Sequence, residues 1–146
     1  MALPSRGALL HAYMKKHKRL VEPRQGFDSL AEPLWLPYSM ARKRGYTDLG
    51  TYVNKPLDHG GTPWARRRPA WAYDIGRSNG FFWKRPWGVL MAWRYVRFLV
   101  KHHKALDIEY VIFRDRIWSR NNGWRHYGPD TSHFWHIHVS GHWPGR

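Results

Sequence analysis

Residues 85–106, RPWGVLMAWRYVRFLVKHHKAL, constrain this chain more than any other stretch. Val89, Leu90, Trp93, Val96 and Val100 recur at i, i+3/i+4 spacing, and Pro86 suits a first helical turn. The spacing predicts one long helix with an apolar stripe, which must be covered by something flat and apolar. The flanking segments supply it. AWAYDIG (70–76) reads as a short buried strand ending at Gly76, and IEYVIF (108–113) as a β-branched and aromatic strand. RDRIWS and NNGW mark a turn and a hairpin, and FWHIHVS (134–140) is a last strand. This order predicts an α+β fold: a small, mainly antiparallel sheet with one long helix. Residues 22–69 are rich in Pro, Gly and turns, so the N-terminal half is expected to be irregular, with at most one short helix near 38–44. Residues 6–21 read as a basic helix capped by Ser5, packed on the domain or serving as a nucleic-acid or membrane arm. The 146 residues fit a single domain, 1–146, with a core over about 46–141.

Composition narrows the partners. The chain carries 25 Lys+Arg against 10 Asp+Glu, a formal net charge of +15, which calls for polyanionic surroundings: nucleic acid, an anionic cell envelope or an acidic protein surface. The ten tryptophans are expected mostly in the core or lining a groove, with some forming a carbohydrate- or base-stacking surface. There is no cysteine, so disulfide frameworks and thiolate metal sites are excluded, and any metal must be held by His and carboxylate. No apolar run reaches the roughly 18–20 residues of a membrane span. In MALPSRGALLHAYMKKHKRL the basic residues follow the apolar patch, so no secretory signal is read there.

The chemistry is concentrated near HFWHIHVSG (133–141). His136 and His138 are two apart on a strand, so they share one face with Cβ atoms about 7 Å apart. Asp74 interrupts an apolar strand, where an ionised carboxylate is costly unless paired or metal-bound. His59 lies in LDHGG, upstream. One Asp and two or three His without Cys match a catalytic zinc site, with a position left for water; they also suit polar residues on a solvated strand face. His102 and His103 close the long helix, where positive charge suits the C-terminal dipole, and His126 and His142 read as exposed.

AYDIG, a long helix, and then YVIFRDRIWSRNNGWRHYGPDTSHFWHIHVSG together resemble the zinc D-Ala-D-Ala carboxypeptidase-like peptidases, of the group that includes lysostaphin-type enzymes and the hedgehog signalling domain. The resemblance spans roughly 55–141 and is nearest to actinobacterial and phage relatives, through Val111, Ile112, Arg116, Ile117, Trp118, Gly123, Trp124, Tyr127, His136, His138, Val139 and Ser140. It implies Zn2+ held by His59, Asp74 and His138, with His136 acting on the water beside the metal. The family usually spaces its first His and its Asp by seven residues. Here His59 precedes Asp74 by fifteen, and the position seven before Asp74 is Arg67, which cannot bind zinc. Either an enlarged loop returns His59 to the site or the site is incomplete. Tyr127, Trp124, His133 and Arg67 are the substrate-binding candidates; core packing for Trp124, a turn cap for His133 and a solvated loop charge for Arg67 are the alternatives.

The activity implied is hydrolysis of peptidoglycan stem peptides or cross-links. The partners would be peptidoglycan or an anionic envelope, and other virion proteins. The location would be a virion or the host cell envelope, as for a phage lytic enzyme. Two other readings stand beside it: an inactive structural virion or tail protein that keeps the fold, and a basic nucleic-acid-binding protein, which lacks support from any clustered basic stripe.

Overall fold

The computed structural model describes residues 2–51, 69–76, 86–128 and 136–142. The fold is α+β, with helices on one face of a six-stranded antiparallel sheet. Helix α1 (Arg6–His17) begins where Ser5 Oγ accepts the Ala8 N–H at 3.1 Å. It ends four residues before the expected boundary, because Lys18 turns left-handed (φ 71°) and its N–H closes on the Met14 carbonyl. This helix packs on the domain: Tyr13 is buried, and the Arg6 guanidinium donates to Pro33 O at 2.7 Å and Ala105 O at 3.1 Å.

Helix α2 (Trp35–Lys43) fulfils the expectation of one short helix in the irregular half and starts a few residues earlier than read. Trp35 Nε1–H anchors its start by donating to Leu30 O at 2.7 Å. Strand β1 (Thr47–Gly50) was not expected, since TDLG holds two poor strand formers. Tertiary pairing overrides that propensity. Asp48 turns inward at a bulge, and its carboxylate accepts from Tyr38 OH (2.7 Å), Arg24 N–H (2.9 Å) and Gly50 N–H (2.8 Å).

Strand β2 (Ala72–Gly76) is buried throughout. Helix α3 (Pro86–Lys101) follows, then a single turn, α4 (His103–Leu106). Strands β3 (Ile108–Phe113), β4 (Arg116–Ser119), β5 (Gly123–His126) and β6 (His136–Gly141) complete the sheet in the order β1-β2-β6-β3-β4-β5. Side-chain alternation divides the sheet. Tyr73, Ile75, Val111, Phe113, Ile137 and Val139 face the helices and form the core with Ala92, Tyr95, Val96 and Leu99 of α3. The α3 stripe is therefore rotated from the expected one: Leu90 is 49% exposed, and Ala92, Tyr95 and Leu99 take the inner positions. Trp118 is core.

A hydrogen-bonded relay ties helix to sheet. Tyr95 OH donates to Pro37 O at 2.9 Å, so its oxygen accepts from Tyr73 OH at 2.8 Å. Burial raises the pKa of both phenols, which keeps both protons in place. Tyr95→Phe would leave the Tyr73 hydroxyl and the Pro37 carbonyl without this partner. Urea denaturation should show a loss of about 1–3 kcal/mol with the fold retained; an unchanged midpoint would mean the relay contributes nothing.

The helix break corrects one expectation. His102 does not serve as a cation at the helix terminus: it is buried, with its ring 4.5 Å from that of Phe98. Burial, and then the neighbouring Lys101, lower its pKa from the ordinary 6.5. The sign follows from linkage. The unfolded chain takes up a proton below about pH 6.5 that folded His102 resists, so stability falls as pH drops through that value. His102→Gln should flatten the decline of the urea midpoint between about pH 7 and about pH 5.5; an identical slope would acquit His102.

Candidate functional site

The face of the sheet away from α3 carries Ala72, Asp74 and Gly76 from β2, and His136, His138 and Ser140 from β6. Antiparallel register sets Asp74 directly opposite His138 and Gly76 opposite His136. Across β1, Gly50 is the partner of Asp74, so no β1 side chain stands directly beside the carboxylate. On the other flank Ile112 is opposite His138, and the Tyr110 ring stacks on the imidazole with centroids 5.3 Å apart and planes 20° from parallel.

This register brings three of the expected residues together. Asp74 Oδ1 lies 2.9 Å from His138 Nδ1 and 3.7 Å from His136 Nε2. Asp74 and His138 are buried, whereas His136, with its side chain 17% exposed, is the more accessible imidazole. An unpartnered carboxylate here would be costly, and the adjoining imidazoles offset that cost. The donor set also suits zinc in kind. Ligand bonds of roughly 2.0–2.2 Å let one ion reach both the Asp74 and the His138 donor atoms. Among the described residues no group of three or more His, Asp or Glu side chains forms a complete metal cradle. The expected third ligand, His59, and the substrate candidates Arg67 and His133 lie outside the described residues.

Two other candidates sit elsewhere. Trp124 is on the face of the sheet opposite Asp74. It is paired with Trp118, and its ring centroid is 6.0 Å from that of Trp93 on α3. The period-2 alternation of GWRH turns it towards the helix layer. Tyr127 follows β5, separated from β2 by three strands, and its backbone N–H donates to Asp115 O at 2.6 Å. Both exposed histidines are as expected: His126 stands 3.9 Å from Asp115, and His142 Nδ1 lies 2.6 Å from Glu109 Oε2.

Tyr110 was missed. The signal was present: in IEYVIF, Tyr110 and Ile112 share a face, and pairing of Ile112 with His138 makes it the site face. Which strand lies beside β6 is a tertiary fact that periodicity within one strand does not carry.

Residues 71–138 match the family model described as VldE, C-terminal domain, over just under half of the chain. The matched span runs from the residue before β2 to His138, so Asp74, His136 and His138 all fall within it. No curated protein and no solved structure matches the chain.

Proposed function

We propose that this chain is a zinc-dependent peptidase of the D-Ala-D-Ala carboxypeptidase-like group, cleaving peptidoglycan stem peptides or cross-links as a phage lytic or virion-associated enzyme. The observation that carries the reading is the convergence of His138 Nδ1 and His136 Nε2 on one buried oxygen of Asp74. Asp74 and His138, the two buried members, would hold the ion, with His59 as third ligand. Bound zinc would supply Lewis acidity towards an amide carbonyl and lower the pKa of water.

The remaining work falls to the protein. His136 is the more exposed imidazole, so it can meet both solvent and substrate. Its role is to accept a proton from the attacking water and to support negative charge on the carbonyl oxygen. Tyr110, stacked on His138, limits rotation of that ring and acts as a positioning residue. The net charge of +15 favours attachment to an anionic wall. No helix among the described residues is long and apolar enough to cross a membrane.

One observation favours a second reading. The 2.9 Å contact between Asp74 and His138 satisfies both groups as a plain hydrogen bond, as an inactive virion scaffold would require. The two readings separate on metal content. In the enzyme reading the purified protein holds one zinc per chain by mass spectrometry and cuts a stem peptide. His138→Ala should then lose both zinc and hydrolysis, because it removes one of three protein ligands. His136→Ala should keep zinc and slow cleavage about 10²–10⁴-fold. Zinc lost in His136→Ala but kept in His138→Ala would exchange the two roles. A protein without zinc or hydrolysis would be the scaffold.

A further inference from the structure

The helix face of the sheet holds a second feature, remote from Asp74. Flanking the inner face of α3, Trp93 and Arg97 meet Asp115, Arg116 and Trp124 around an open cavity of about 330 Å³. That volume lies at the lower end of the range of small-ligand sites. Trp124 is 42% exposed, so an indole that ordinarily belongs in a core is offered to solvent. Arg97 and Arg116 are exposed, and neither guanidinium is paired with a protein group among the described residues. Asp115 has only His126, at 3.9 Å, as an ion-pair neighbour among them.

We propose that this cavity binds a carboxylate-bearing sugar unit of a glycan chain. The two indoles, 6.0 Å apart by centroid and inclined at 60°, form an open notch. Such a notch takes the apolar face of a pyranose against one ring. A flat nucleobase held between two rings needs them near parallel, and these are not. Asp115 can accept from sugar hydroxyls, and a carboxylate there disfavours a phosphate-rich ligand. Two guanidinium groups against one carboxylate leave one positive charge to be met, and a sugar carboxylate meets it with two-pronged hydrogen bonding. The cavity and Asp74 occupy opposite faces, so glycan held here leaves the Asp74 face free. The inference does not depend on zinc or on hydrolysis.

The test uses the full chain with 15N-labelled tryptophan. The probe is a peptide-free tetrasaccharide of alternating N-acetylglucosamine and N-acetylmuramic acid, and its carboxamide derivative is the comparison. The expected result is a shift of the Trp93 and Trp124 indole N–H signals, with affinity for the carboxamide at least threefold weaker. Trp124→Ala should weaken binding tenfold or more, and Arg116→Gln should remove the preference for the acid. Both side chains are exposed, so neither change disturbs the core, and an unaltered melting temperature verifies this. Asp74→Ala should bind the sugar as the parent does, which separates this inference from the peptidase reading. No shift at millimolar sugar would overturn it, as would equal affinity for acid and carboxamide, binding indifferent to Trp124→Ala, or tighter Trp124-dependent binding of oligothymidylate.

Discussion

The antiparallel pairing of β2 with β6 is the constraint on which the rest of the molecule depends. It fixes in one register both halves of the sheet. On the helix side it sets Tyr73 against Val139 and Ile75 against Ile137, closing the core beneath α3. On the other side it sets Asp74 against His138. A slip of one residue would turn every side chain of β6 over, carrying the imidazoles into the core and Ile137 and Val139 out of it. The apolar core therefore enforces the geometry of the polar site. Asp74 and His138 contribute little to choosing the register, since the hydrogen bond between them does little more than offset the desolvation of two buried polar groups.

Much of this was legible in the chain. The helix read over 85–106, the strands read over 70–76 and 108–113, the hairpin and the last strand read over 134–140 were marked by periodicity and turn residues, and each formed close to where it was read, the helix being interrupted at His102. The convergence of Asp74, His136 and His138 was legible for the same reason: an acid in an apolar strand and a same-face histidine pair are both exceptions to pattern. What failed depended on contacts between elements. β1 forms because β2 offers it an edge, not because TDLG favours extension. The inner face of α3 rotated because Tyr95 reaches Tyr73 and Pro37. His102 was read as a helix-end charge because sequence shows position along the helix but not burial.

The two faces of the sheet answer different physical demands. One is closed by aromatic and aliphatic packing and, at its β4–β5 margin, opens into a notch of indoles and arginines. The other gathers an acid and two imidazoles over small residues, with Gly50 and Gly76 as neighbours. Because successive side chains of a strand point to opposite faces, one layer of backbone holds these dissimilar surfaces back to back.

The strand order has a consequence for how the chain comes into being. β6 is the most C-terminal of the described strands, yet it lies in the interior of the sheet, between β2 and β3. During synthesis β1–β2 and β3–β4–β5 emerge as two separate ribbons, each with a bare edge, and neither can join the other until β6 arrives as the wedge between them. Asp74 waits through 64 residues of translation for His138. Such long-range closure is slow, and the waiting edges are exposed to wrong partners. A ribosome that stalled before residue 136 would leave the described strands as two half-sheets, so Asp74 meets His138 only once β6, the most C-terminal of the described strands, has been made.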